Sequence, residues 1–424
     1  MADAAVSEET PSHASLLTPA QSRRNVLVAA ATCFTGFAGF TLVMPFLPLY
    51  VNELGVDDVG EIAMWSGLTL GVTPAVTAIS APLWGRVGDR YGSKLLVIRS
   101  LIAFVVTKAA MAFVTAPWQL VALRGLLGVF AGYGALTMSM AAQSVPREEM
   151  ARAIGVVQVG QRLGPAVGPI IGGVLAPLVG LRRSFLVTAA VYVAALLMIV
   201  VFYHEPRTRQ TRAATRSLRS VIRELAATPG FLLVLAAIFT LQTVDRSFGP
   251  ILPLFVEQLG VPSGRVATVA GLLFSLIAAC AALGHRTASG FMARWPPRQL
   301  MIAVAAIIAG ALTLVVVVPS LTVLTVALVV VSFGIGVAMT AAYSVAGALL
   351  PADAHVTGFG VMTTASLVGL AFSPVLAGIV GASGLRVVFV VDVLLLVGLA
   401  IAIAVRLGSS PVTQVENDQP SDTV

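Results

Sequence analysis

Charged side chains are scarce in this chain of 424 residues: aspartate, glutamate, lysine and arginine together make up only 11% of it. Apolar residues make up 58%, and the mean hydropathy is +0.95. A soluble domain usually carries about 25% charged residues. The composition therefore excludes an ordinary soluble protein and indicates one that crosses a membrane several times.

Cysteine is nearly absent as well, and both cysteines, Cys33 and Cys280, fall within hydrophobic stretches. Their spacing predicts neither a zinc site nor a structural disulfide. The sequence also lacks a nucleotide-binding loop, a metal-ligand cluster and a nucleophile next to a base. We therefore predict that the protein is not an enzyme and holds no metal or cofactor. Because the sequence contains no ATP-binding motif, an ion gradient is the expected source of energy for any work that the protein does across the membrane.

Hydrophobic stretches long enough to cross about 30 Å of hydrocarbon predict an all-α membrane protein with twelve transmembrane helices. The predicted spans are 25–50, 61–83, 95–116, 118–142, 151–177, 181–203, 229–256, 265–286, 299–318, 321–348, 355–380 and 385–406. The polar segments 1–22 and 408–424 are predicted to be disordered tails.

The positions of arginine and lysine predict how the helices are oriented, because short positive loops stay in the cytoplasm. Positive charge concentrates before span one, in the loops between spans two and three, four and five, and eight and nine, and in the loop after span six. The exceptions are Arg182, Arg183, Arg265 and Arg386. Both termini are therefore predicted to be cytoplasmic, in the inner membrane of a cell. The net charge of +7 follows from this topology and from anionic lipid, so no nucleic-acid partner is predicted.

An internal repeat divides the chain. The sequence PFLPLYVNELGV at 45–56 recurs as PILPLFVEQLGV at 250–261, an offset of 205 residues. We predict two six-helix halves, 23–203 and 229–407, joined by a cytoplasmic linker at 204–228. A substrate site at the membrane midplane between the halves, exposed alternately as they rock, is typical of such a duplication.

The most informative motif is a stripe of glycines in span five. Gly160, Gly164, Gly168 and Gly172 recur at every fourth position, so they form one face along which another helix can approach closely. Pro165 and Pro169 lie beside this face; each removes a backbone donor and favours a bend. The alternative is that such stripes only pack membrane helices together. The full pattern is G-x8-G-x3-G-P-x2-G-G, with Gly155, Gly164, Gly168, Pro169, Gly172 and Gly173 at its fixed positions.

A second motif, WGRVGDRYGSK, fills the loop between spans two and three. Gly85 and Gly92 would permit a tight reversal, and Asp89 could accept hydrogen bonds from a neighbouring helix start or an arginine. Arg90 and Lys94 complete the motif. The alternative is a solvated basic turn that only fixes the topology.

Charged residues inside the predicted spans are the candidates for proton coupling and substrate binding. Asp245 in span seven is the first candidate for the proton site, with Arg246 or an arginine across the cavity as its partner. Neighbouring positions on a helix point about 100° apart, so the two need not contact each other. A static salt bridge between the halves is the alternative. Asp392 is a weaker acidic candidate.

Four cations lie at membrane depth: Lys108, Arg124, Arg162 and Arg246. Arg124 could lower the pKa of a nearby protonatable group and help to expel its proton, unless it reaches the lipid headgroups instead. Because these cations outnumber the acids, a cavity that they line would favour neutral or anionic compounds over lipophilic cations.

The glycine pattern, the 84–94 loop and the segment around Arg124 and Gly128 resemble motifs of the twelve-helix drug:proton antiporters of the major facilitator superfamily. This resemblance implies alternating access, a small-molecule substrate, inward proton flow and outward transport by a monomer in the bilayer. An exporter of one endogenous metabolite or sugar would use the same helices and remains the first alternative. A membrane sensor that does not transport is the second.

Overall fold

The computed structural model describes residues 17–205, 230–350 and 355–406. These residues form α-helices, one 3₁₀ turn at Arg147–Glu149 and short connections. The helices are α1 (Pro19–Thr41), α2 (Leu47–Glu53), α3 (Val59–Tyr91), α4 (Ser93–Met111), α5 (Pro117–Val129), α6 (Tyr133–Gln143), α7 (Met150–Val179), α8 (Leu181–Phe202), α9 (Phe231–Gln258), α10 (Ser263–Met292), α11 (Pro297–Val317), α12 (Leu321–Leu349), α13 (His355–Gly381) and α14 (Leu385–Arg406). The all-α prediction is confirmed for this part of the chain.

The twelve predicted spans map onto these helices in order, but two of them are broken. Span one divides into α1 and α2 around Pro45, and span four divides into α5 and α6 around Gly132. Ten segments of the described residues are long and apolar enough to cross a membrane, with α5 and α6 counted as one. The other two predicted spans are the α1–α2 pair and α4.

The break in span four depends on glycine and on side chains from neighbouring helices. Gly132 has φ +106°, a conformation that other residues adopt only at a cost. The carbonyls freed at the break accept hydrogen bonds: Val129 from Trp84 Nε1 at 2.6 Å and Phe130 from Ser100 Oγ at 2.7 Å. The break therefore leaves these backbone acceptors satisfied inside the bundle.

The packing repeats with the sequence, which confirms the architecture of two six-helix halves. Helix α1 packs along α7, and in the second half α9 packs along α13 in the same way. The pairs α3 with α5 and α10 with α12 correspond, as do α4 with α8 and α11 with α14. The halves meet mainly through α3 against α13 and α7 against α10.

The apolar core shows where the halves are joined. One cluster of buried side chains combines the second half with first-half residues from the predicted outer end, including Phe46, Tyr50 and Leu70. A separate cluster, including Val97, Val157 and Ile199, lies within the first half toward its predicted cytoplasmic end. At the predicted outer end, the two halves therefore share one apolar core.

Two sequence-based boundaries need correction. Helix α1 begins at Pro19, within the predicted tail 1–22, because Thr18 caps it by accepting a hydrogen bond from the Gln21 amide. Helix α3 continues through Gly85 to Tyr91, so Gly92 alone, with φ +88°, makes the reversal into α4. Most of the predicted linker 204–228 and all of the tail 408–424 lie outside the described residues.

Candidate transport pathway

The glycine stripe of α7 packs against α1 as the spacing predicts. A Cβ added to Gly160, Gly164, Gly168 or Gly172 would overlap atoms of α1 or of Leu42, the residue that follows it. Gly155, the first glycine of the motif, has open space at the same position. Three glycines of the motif, together with Gly160, are therefore required for close approach to α1, whereas Gly155 is not.

The last glycine of the motif faces the other half of the molecule. A Cβ on Gly173 would lie 3.2 Å from Gly271 Cα of α10, and the Gly173 carbonyl accepts a hydrogen bond from Thr268 Oγ1 at 2.8 Å. The repeat produces a second contact of the same kind, in which a Cβ on Gly378 of α13 would lie 3.2 Å from Gly67 Cα of α3. We call these two contacts the glycine seam. It brings backbone against backbone at the predicted outer end.

Asp245 and Arg246 contact each other on α9. Arg246 Nε lies 2.9 Å from Asp245 Oδ2, and the two side chains are 38% and 15% exposed, respectively. The pair forms even though adjacent positions on a helix diverge, because the long arginine side chain can turn back along the helix. Both residues belong to the second half, so this ion pair is not a salt bridge between the halves.

His285 of α10 joins this region and was missed by the sequence analysis. It lies within electrostatic reach of Arg162 across the halves and of Asp245 within its own half. Its Nδ1 is 2.9 Å from Thr340 Oγ1, which itself donates to the Gly336 carbonyl at 3.0 Å. The threonine proton is thus already used, so Nδ1 must donate and Nε2 is left for other groups. A histidine inside the predicted span 265–286, close to its end, was the available signal.

Arg162 of α7 reaches from the first half toward the second. Its side chain is exposed, yet it interacts electrostatically with His285 and with Tyr343 of α12. Space is therefore open between the halves at this level. Arg162, Asp245, Arg246 and His285 form what we call the interhalf cluster.

Lys108 and Arg124 lie apart from the interhalf cluster, in the interior of the first half. Both are 0% exposed, so neither lines the open space between the halves, and Arg124 does not reach the headgroups. The electrostatic neighbours of Arg124 are Lys108 and Tyr192. The structure places no carboxylate of the described residues in an ion pair with either cation.

Asp392 of α14 is buried inside the second half, with 2% of its surface exposed. Its Oδ2 accepts a hydrogen bond from Ser247 Oγ at 2.6 Å. Ser247 lies two positions after Asp245 on α9, so α9 carries both Asp245 and the hydrogen-bond partner of Asp392.

The loop motif contributes contacts within the first half. Lys94 Nζ donates to the carbonyl of Tyr203 at 2.8 Å and so ties the start of α4 to the end of α8. The side chains of Asp89 and Arg90 lie outside the described residues. Within the described residues, no group of three or more histidine, cysteine, aspartate or glutamate side chains is arranged to hold a metal ion.

Comparison with known proteins agrees with this geometry. The family model of the Major Facilitator Superfamily matches residues 28–366 and 267–423. The multidrug resistance protein MdtG of Proteus mirabilis (strain HI4320) is 35% identical over 257 residues, which are 60% of this chain and 63% of that protein. MdtG of Escherichia coli (strain SMS-3-5 / SECEC) is 32% identical over 285 residues, 67% of this chain and 70% of that protein. The chain thus matches less than two thirds of the Proteus relative.

Solved structures are similar over nearly the whole chain. A bacterial homologue of the human lysosomal transporter Spinster, in an inward-facing and occupied conformation, gives a TM-score of 0.77 at 18% identity and covers 92% of this chain and 98% of its own. The nucleoside transporter NupG gives 0.71 at 14% identity and covers 90% and 100%. At these identities the likeness establishes the fold.

Proposed function

This chain belongs to the major facilitator superfamily, and we propose that it exports small organic compounds by alternating access coupled to proton entry. Membership makes it a multi-pass membrane transporter and not an enzyme, as the sequence predicts. Export and proton coupling do not follow from membership of the family and are proposals. They are supported by the glycine seam, the interhalf cluster and the likeness to multidrug resistance proteins.

The single observation that carries the proposal is the asymmetry between the two ends of the bundle. The glycine seam and a shared apolar core join the halves at the predicted outer end. Arg162 remains exposed although its partners belong to the opposite half. With both termini in the cytoplasm, this is a conformation open to the cytoplasm. A compound would enter there and leave outward once the seam has opened.

Asp245 is the proposed site of proton coupling. A carboxylate inside a membrane protein is costly unless it is paired or protonated, so its ion pair with Arg246 and its protonated state are alternative ways to satisfy it. A proton that arrives at Asp245 would release Arg246 and change the charge facing the cavity. Export of the compound and import of the proton would then compete for the same cluster.

The test is a flux measurement in proteoliposomes that contain a pH-sensitive dye. A panel of a lipophilic cation, a neutral amphipath and a lipophilic carboxylate would be added, and proton flux would be compared between wild type and Asp245→Asn. Glu257→Gln is the matched control, since it makes the same chemical change on α9 at a residue that accepts a hydrogen bond from Ser263 outside the cluster.

We expect Asp245→Asn to bind compounds but to lose coupled flux, while Glu257→Gln behaves as wild type. Normal flux in Asp245→Asn would remove that residue as the proton site. Transport by wild type without proton movement would overturn antiport. Transport of one compound class alone would favour the exporter of a single metabolite over a multidrug exporter.

A further inference from the structure

The first half holds two buried cations that lack a counter-charge. Lys108 Nζ and all three guanidinium nitrogens of Arg124 have no hydrogen-bond partner among the described residues, and both residues are 0% exposed. The two cations lie within electrostatic reach of each other. Buried charges in a membrane protein are expensive unless they are paired. This pair therefore requires an anion that the surrounding helices do not supply.

The groups around the pair can assist an anion but cannot replace it. Lys108 Nζ lies 6.0 Å from the centroid of the Phe185 ring, and Arg124 Cζ lies 5.4 Å from that of Phe40. Aromatic faces attract cations only weakly compared with a full charge. The hydroxyl of Tyr192 donates to the Gly36 carbonyl at 3.0 Å. The counter-charge is thus still missing.

Hydroxyl groups lie on α3, the helix that packs against α5 and Arg124. Thr73 Oγ1 donates to the Arg124 carbonyl at 2.9 Å, and Thr69 lies one turn earlier on the same face. The hydroxyls of Thr69 and Ser66 are buried and without a partner. Unpaired hydroxyl donors on the helix that packs against Arg124 add groups that can donate to a bound oxyanion.

The sequence repeat shows that the two halves differ at this point. The offset of 205 residues places Phe40 at the position that Asp245 occupies in the second half. There the acid pairs with Arg246 at 2.9 Å, whereas the first half has a phenylalanine beside Arg124. The same offset places Thr313 and Val329 at the positions of Lys108 and Arg124. The first half therefore has two buried cations without equivalents in the second half, and it has no acid at the position of Asp245.

We propose that Lys108 and Arg124 form a binding site for an oxyanion, a carboxylate or phosphate-type group, inside the first half. The anion is either part of an exported compound, in which case this inference rests on the proposed function, or a free inorganic anion. An anion would reach this site by way of α3. This helix contacts Arg124 through Thr73 and the other half through Gly67. Opening of the glycine seam would separate α3, which contacts Arg124, from the other half.

Binding is tested on the purified full chain in detergent, which requires no transport. Equilibrium binding of radiolabelled phosphate and of benzoate is measured in a buffer whose own anion is a bulky sulfonate. We expect both to bind wild type and to raise its thermal stability. Lys108→Met should weaken binding about tenfold or more, since one of two buried charges is lost. Lys108→Arg should retain binding, and Arg183→Met, which removes an exposed arginine, should match wild type.

A second variant decides the question even if Lys108→Met does not fold. Phe40→Asp places a carboxylate next to Arg124 and supplies the missing charge internally. We expect this variant to be more stable than wild type without added anion and to gain nothing from phosphate or benzoate. Wild type that binds neither anion, or Lys108→Met that binds both as tightly as wild type, would overturn the proposal, as would an unchanged anion response in Phe40→Asp.

Transport assays then identify the source of the anion. If benzoate is displaced by phosphate and is also transported, the site holds part of the exported compound. If phosphate binds and neither anion is transported, the site holds a free anion. Failure of the export proposal for every compound would leave the detergent binding result unaffected, so the two proposals fail separately.

Discussion

Gly173 of α7 lies against Gly271 of α10, so close that a Cβ on Gly173 would meet Gly271 Cα at 3.2 Å and a Cβ on Gly271 would meet Gly173 Cα at 3.1 Å. No side chain separates the two halves at this point. The repeat provides Gly67 and Gly378 as the second such contact. The predicted outer end is thus closed by backbone packing at two related places, which only residues without side chains permit.

Gly271→Leu should shift the protein toward the conformation that is open at the predicted outer end. A leucine there would overlap the α7 backbone, and such overpacking costs about 1–3 kcal/mol, enough to change the ratio of two conformations about 5- to 150-fold. The readout is a cysteine at Leu70, whose Cδ1 would lie 3.0 Å from a Cβ added to Gly249 in the other half. Its labelling by a membrane-impermeant maleimide, in a background without Cys33 and Cys280, should increase.

The control for this variant is Gly310→Leu on α11, where an added Cβ meets nothing within 4 Å. It should label as the reference does. Equal labelling of Leu70→Cys in the Gly271→Leu and reference proteins would contradict the role of the glycine seam as a gate.

Two glycines of the same α7 motif should respond differently to leucine. At Gly172 a side chain would overlap the carbonyl of Leu42, directly after α1, whereas Gly155 has open space. Gly172→Leu should therefore lower thermal stability in detergent and reduce the folded yield, while Gly155→Leu should lose no stability and gain up to about 0.5–1 kcal/mol through helix propensity. Equal destabilisation by both variants would show that close packing against α1 does not explain the glycines of the motif.

The sequence predicted the fold well because each membrane span is a long local signal and the repeat is explicit. It did not predict the broken helices. Pro45 and Pro250 are equivalent in the repeat, yet the chain breaks around Pro45 while α9 runs unbroken through Pro250. The difference depends on which neighbours satisfy the freed backbone groups, and this is tertiary information that a hydropathy pattern does not contain.

The candidate site was predicted in part. The cost of a charge in the membrane singled out Asp245 and Lys108 from the sequence, but not their partners. Whether Asp245 would pair with Arg246 depends on side-chain conformation, and the isolation of Lys108 depends on packing within the first half. His285 was missed because its significance comes from Arg162 and Asp245, which lie in other helices.

His285→Asn should separate structure from transport at the interhalf cluster. The asparagine amide can take over the donor that His285 Nδ1 provides to Thr340 Oγ1 at 2.9 Å, but it has no group in the place of Nε2. Thermal stability should stay within about 1 kcal/mol of wild type, the usual net value of one hydrogen bond, while transport slows at least severalfold. Thr340→Val removes the hydroxyl that accepts this hydrogen bond and leaves His285 itself unchanged. Unchanged transport in both variants would exclude His285 from the pathway.

Gly132 allows a last test, of the break between α5 and α6. Its φ of +106° lies in the left-handed region, and an added Cβ would meet nothing within 4 Å, so alanine there is opposed by backbone strain alone. Gly132→Ala should lower stability by about 1–2 kcal/mol. Gly125→Ala, within α5 and with only Val72 Cγ2 at 3.5 Å, should instead raise it by about 0.5–1 kcal/mol through helix propensity. Thermal unfolding of both variants in detergent measures the difference. If Gly132→Ala were as stable as wild type, the break would have to follow from the hydrogen bonds donated by Trp84 and Ser100 and not from the glycine conformation.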